Sequence, residues 1–127
     1  MFQYQIRNDK TGGGVLTHNG AFQTAAYSGH GQGLNNVAMQ AVAETGPIPV
    51  GMYKMQPARY SSRLGPLTID LEPVGHNAFG RTAFRMHGDN QAHNQSASEG
   101  CIIAGPATRD FVNKCIATGD DMLEVVL

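Results

Sequence analysis

Charge is scarce in this chain, and neither sign is in excess. Asp, Glu, Lys and Arg make up 15 % of the 127 residues, and nine Lys+Arg stand against ten Asp+Glu for a net charge of −1. A nucleic-acid partner calls for a basic face, so none is expected. Long apolar runs are also missing. No stretch approaches the ~20 residues of a membrane-spanning helix, so no membrane span is expected. The start, Met1 to Asp9, has no basic segment followed by an apolar one, and so does not read as a secretory signal. The expectation is a protein made in the cytoplasm without a signal peptide. No internal repeat, linker or low-complexity tail interrupts the chain. Cysteine is sparse, with only Cys101 and Cys115, and their number alone leaves a disulfide between them open.

Glycine is plentiful. Its 16 copies exceed the usual share of about 7 % and suit tight turns between short strands. A length of 127 residues fits one domain, residues 1–127, able to bury a core without disulfide staples. Phe2, Tyr4 and Ile6 alternate with Gln3, Gln5 and Arg7, the period of a half-buried strand. Val15–His18 and Ala21–Tyr27 flank Asn19-Gly20, the strongest two-residue hairpin signal. Met52–Gln56, Leu67–Leu71, Arg81–His87 and Met122–Leu127 read as further strands. Gly46-Pro47-Ile48-Pro49-Val50-Gly51 is rigid loop, because proline fixes φ and removes a donor. Val37–Glu44 fits either helical turns or an extended loop. Pro106 opens a helix to about Ala117, with Phe111, Val112, Cys115 and Ile116 at helical spacing. The expected class is mainly β with one or two helices (α+β), the sheet closed or sandwiched.

Cys115 falls on that apolar helix pattern and reads as a small core residue. Cys101 does not. It follows Ser98-Glu99-Gly100, no setting for a helix core, and reads as a nucleophile. A thiol attacks as thiolate, so a base is required, and His87, at the end of Phe84-Arg85-Met86-His87 and fourteen residues before Cys101 (101 − 87), can supply it. Gly100 leaves room for close backbone approach, and the N–H groups of Gly100 and Cys101 are expected oxyanion donors. The polar loop Asp89–Ala97 lets Cys101 fold back beside His87. A metal site on His87, Asp89, His93 and Cys101 is the alternative chemistry, but their spacing matches no zinc pattern; no metal or cofactor is expected. His18 reads as a hairpin flank, and His30 and His76 as solvated loop residues, His30 with the option of bordering a cleft.

Phe84-Arg85-Met86-His87-Gly88 followed by Ser98-Glu99-Gly100-Cys101-Ile102 resembles the active-site signature of L,D-transpeptidases, in which His-Gly precedes a Ser/Thr-His-Gly-Cys stretch. Tyr27-Ser28-Gly29-His30-Gly31 with Asn35-Asn36, and Thr45-Gly46-Pro47-Ile48-Pro49-Val50-Gly51-Met52-Tyr53, make the Tlde1 branch the closer likeness. That branch comprises antibacterial L,D-transpeptidase-like effectors of the type VI secretion system. The likeness runs from about residue 12 to the end. Three features depart from the wider transpeptidase pattern: Glu99 stands for a His, Ile103 stands where many members carry Arg, and the His-to-Cys spacing is shorter.

The resemblance implies an L,D-transpeptidase (YkuD-like) catalytic domain, sandwich- or barrel-like. It implies a peptidoglycan stem tetrapeptide as substrate, with Cys101 attacking the diaminopimelate carbonyl and D-Ala leaving. Water, a D-amino acid or a second stem then accepts the acyl group. His87 would be base and then acid, and the carbonyl of Gly88 would orient its ring. Ser98, Arg85, Tyr27 and Ser28 would serve the oxyanion or the substrate, and Arg85 or Arg81 would stand in for the missing Arg. A cognate immunity protein, a secretion-system delivery component and action in the target-cell periplasm are implied in the same way. The same fold without turnover, as a wall-binding or inhibitor-binding module, is the competing reading.

Overall fold

A computed structural model describes residues 1–7, 13–89 and 98–127. Alternation decides the first strand, β1 (Phe2–Gln5): Phe2 and Tyr4 are buried, and Gln3 and Gln5 half-buried. The hairpin forms as expected. β2 (Gly14–His18) and β3 (Ala21–Ser28) pair antiparallel across Asn19 and Gly20. Both turn residues have positive φ, 49° and 83°, as a type I′ turn requires. The register slips between Leu16 and Thr17, leaving Gln23 as a bulge.

β4 (Gly51–Met55), β5 (Arg59–Ser61), β6 (Gly65–Val74), β7 (Phe84–His87), β8 (Ile102–Ile103) and β9 (Met122–Val126) follow, with one α-helix, α1 (Pro106–Ala117), before the last strand. The sheet runs β4-β9-β1-β2-β3-β8-β7-β6-β5, and β4 also pairs with β6. That extra pairing closes the sheet on itself, with β5 hanging on β6. The described residues are thus mainly β, closed like a barrel, with one α-helix. Phe2, Tyr4, Leu16, Tyr53, Met86 and Leu123 are among the fully buried core side chains.

Several expectations are corrected. β7 starts at Phe84 rather than Arg81, because Ala83 takes φ of 63° and breaks the extended run. β5 and β8 were not legible as strands. β8 is two residues long and exists only because β3 and β7 flank it. Val37–Glu44 forms a short 3-10 turn, Val37–Met39, whose first donor, Ala38 N–H, is taken by Asn36 Oδ1 at 3.2 Å. On α1 the buried face is Arg109, Val112 and Ile116. Phe111 is not core but 37 % exposed, and Cys115 is half-buried against the core. The helix rests on β6 with the 109/112/116 stripe, which turns positions 111 and 115 to its flank.

Candidate active site

β7 and β8 are parallel neighbours, with Met86 opposite Ile102 and His87 opposite Ile103. Successive strand side chains point to opposite faces. Met86 and Ile102 therefore enter the core, where both are fully buried. Arg85, His87 and Cys101 are left on the other face, where they line one cavity of about 370 Å³ together with Arg63, Arg81 and Glu99. The two residues expected to do the chemistry are brought to one place by the strand period.

His87 is 3 % exposed. Its Nδ1 lies 2.8 Å from the carbonyl of Gly88. A carbonyl only accepts, so the neutral ring carries its proton on Nδ1 and keeps the Nε2 lone pair free. Burial pushes the imidazole below its ordinary titration range, and Arg109, Arg85 and Arg63 push the same way against the Gly88 hydrogen bond. The resting ring is a neutral base.

Burial raises the Cys101 thiol above its ordinary range; the Arg85 backbone N–H and the Arg85 and Arg63 charges oppose this, and Glu99 adds to it. The thiol points to the carbonyl of Ala83 at 3.8 Å. Among the described residues no hydrogen bond joins it to His87. The resting state is a thiol beside a neutral imidazole rather than a preformed ion pair. Such catalytic contacts often close only with substrate in place.

Ser98 departs from its expected role. It is fully buried, and its Oγ donates to the Cys101 carbonyl at 2.6 Å while accepting Gly29 N–H at 2.9 Å and Gly100 N–H at 3.1 Å. One donor and two lone pairs are then all used, so Ser98 shapes the nucleophile loop and has nothing left for substrate. The same bonds correct Gly100. Its N–H is occupied by Ser98, whereas the Cys101 N–H has no acceptor among the described residues. Glycine is needed at 100 for another reason. Its φ is 125°, and a Cβ there would run into the Arg81 guanidinium.

Ser28 is likewise corrected. It is fully buried, its Oγ accepts Ile48 N–H at 2.8 Å, and its own N–H donates to Asn35 Oδ1 at 3.2 Å. It anchors the proline loop. Tyr27 borders a second cavity, about 480 Å³, with Gly88, Asp89 and Arg109, and donates to Asp89 Oδ1 at 2.7 Å. Arg81 is no substitute for the missing Arg. Its guanidinium is spent on the carbonyls of Gln40, Pro47, Gly46 and Glu99. Arg85 does line the cavity, but its Nε donates to Asp70 Oδ1 at 3.1 Å, beside Arg59 at 2.6 Å from the other carboxylate oxygen. The Arg59 hydrogen bond, ahead of Arg85, holds the Asp70 carboxyl below its usual range.

Sequence reasoning missed Arg63. It lines the cavity, 73 % exposed, in a long, solvent-exposed ion pair with Glu99 at 3.7 Å. Nothing local marks it, since β5–β6 pairing brings it there. His30 and His76 are half-buried and hydrogen-bonded to the protein rather than simply solvated. His30 Nδ1 lies 2.7 Å from the Ser98 carbonyl, and His76 bridges the Met52 carbonyl and Ala78 N–H. His18 flanks the hairpin as expected, with Asp120 2.6 Å away. Both cysteines are free. His93 of the alternative metal quartet lies outside the described residues, and Asp89 faces the second cavity.

The profile of the Tlde1 domain matches residues 23–118. The chain belongs to the Tlde1-domain family. The match covers His87, Cys101 and the whole lining of their cavity, and leaves β1, β2, β9 and the first two residues of β3 outside it. No curated protein and no solved structure matches the chain.

Proposed function

We propose that this Tlde1-domain chain is a cysteine acyl-transfer enzyme acting on peptidoglycan stem tetrapeptides, and that it is an antibacterial effector. The observation that carries the reading is the shared face of β7 and β8. It sets a thiol and a tautomer-fixed neutral imidazole in one cavity with the exposed Arg63. Family membership and the YkuD-like motif order supply the substrate class.

Cys101 Sγ attacks the diaminopimelate carbonyl as His87 Nε2 takes the thiol proton. A general base of this kind contributes roughly 10²–10⁴-fold. The tetrahedral oxyanion rests on the Cys101 N–H, and a donor of this type contributes about 10²–10³-fold. His87 returns the proton to the amine of D-Ala, which departs and leaves a thioester. Water completes L,D-carboxypeptidase turnover, a D-amino acid gives exchange, and a second stem amine gives a crosslink. Hydrolysis and exchange both deplete donors for normal crosslinking. Toxicity would then be confined to the periplasm, with a delivery component and an immunity protein as partners.

The test is incubation with disaccharide tetrapeptide, with and without a D-amino acid, read by mass. Wild type releases D-Ala and Cys101→Ala does not, with unchanged thermal stability. Tetrapeptide left intact by wild type sinks the reading. The lack of a His87–Cys101 hydrogen bond favours the second reading, a wall-binding module without turnover. That reading predicts peptidoglycan binding indifferent to Cys101.

A further inference from the structure

A second group of metal-type side chains sits away from the cavity. His18 pairs with Ala21 at one end of β3, and Ile102, next to the nucleophile, pairs with Ser28 at the other. The strand between them spans about 20 Å at 3.3 Å per residue. Around His18 the ring nitrogen, the Cys115 sulfur and an Asp120 carboxylate oxygen lie within 4.8 Å of one another, all three residues half-buried.

We propose that His18, Cys115 and Asp120 bind one transition-metal ion of the zinc type, which fastens the first hairpin to the corner between α1 and β9. The three donors come from three separate elements: the last residue of β2, the final turn of α1 and the connection to β9. Each is held from behind. The His18 ring stacks on Phe2 at 4.3 Å and meets the edge of Phe111 at 5.4 Å. Asp120 N–H and the Thr118 hydroxyl both donate to the Cys115 carbonyl, at 3.0 and 2.8 Å, which fixes the helix end against the aspartate.

The donor set selects the ion. One imidazole, one thiolate and one carboxylate suit zinc or cobalt, whereas calcium and magnesium take oxygen shells. Donor atoms around tetrahedral zinc sit roughly 3.3–3.6 Å apart. His18 Nε2 and Asp120 Oδ2, now 2.6 Å apart, would spread slightly to admit the ion while the sulfur moves inward. Water completes the shell. A cysteine binds metal as the thiolate, and its free thiol is mostly protonated at neutral pH. Metal uptake therefore breaks the S–H bond, forms the metal–sulfur bond and releases that proton to solvent.

The full chain, stripped with chelator and kept reduced, is titrated with cobalt. One equivalent should produce a thiolate-to-cobalt charge-transfer band that zinc abolishes, and zinc should raise the melting midpoint. Cys115→Ser and His18→Ala should lose the band, and Cys101→Ser should keep it. Asp120→Asn, which preserves a hydrogen-bonding partner for His18, should weaken zinc binding at least about tenfold even if the other variants fold poorly. No band in the parent chain, a band lost in Cys101→Ser but kept in Cys115→Ser, or unchanged affinity in Asp120→Asn overturns the proposal.

Discussion

Ser98 fixes the nucleophile loop through a single oxygen that bonds two N–H groups and the Cys101 carbonyl. Ser98→Ala strands all three partners in a buried site. An unsatisfied buried group costs about 1–3 kcal/mol, so the expected loss is at least about 2 kcal/mol in denaturant unfolding, with D-Ala release falling in parallel. His87 supplies a prediction of its own. Its conjugate acid titrates below the 6.5 of a free imidazole, chiefly through burial. The base works in its neutral form, so the acid limb of kcat/KM should have its midpoint below 6.5. Stability follows the same sign. Below about 6.5 the unfolded chain takes up a proton that the buried ring refuses, so stability contributed by the neutral ring is lost as pH falls from there. A pH series of urea midpoints for wild type and His87→Gln checks the second statement.

Among the elements, β8 carries the site and is the least able to form alone. Two residues cannot fix their own register. β3 on one side and β7 on the other do so, with Arg81 bonding the Glu99 carbonyl and passing beneath Gly100. Gly100→Ala puts a side chain at φ of 125° and against the Arg81 guanidinium. Backbone strain of this kind costs about 1–3 kcal/mol, before Arg81 shifts. The expected outcome is a lower melting midpoint and D-Ala release reduced at least tenfold. Wild-type stability in Gly100→Ala would show that the loop does not depend on this close approach. Asp70 has a related part, since it anchors Arg85 from the neighbouring strand β6.

For the molecule as a whole, closure matters more than any one strand. β9 lies between β4 and β1, and β1 pairs with it in parallel. Phe2, Tyr4, Leu16, Leu123 and Val125 are fully buried, yet all lie outside the matched residues 23–118. A fragment limited to 23–118 therefore lacks a wall of the barrel and a share of its core. It should be unfolded by far-ultraviolet circular dichroism and inactive on tetrapeptide. A cooperative melt in that fragment would mean that the remaining strands reclose without β1, β2 and β9.

Local pattern alone determined much of this protein. Period-two alternation marked β1, Asn19-Gly20 marked the hairpin, and Pro106 marked the start of α1. These are short-range features, because strand period, turn φ and helix spacing are properties of neighbouring residues. Tertiary structure alone decided the rest. β8 has no local signal and forms because its neighbours supply both sets of backbone partners. Ser98 and Ser28 were expected at the substrate, and long-range hydrogen bonds from Gly29 and Ile48 turned them into supports. Arg63 reached the cavity, and the Arg81 guanidinium at its wall was taken up by backbone carbonyls, through contacts far along the chain. The sequence names which groups can act; which of them remain free to do so depends on what the folded chain has already bonded.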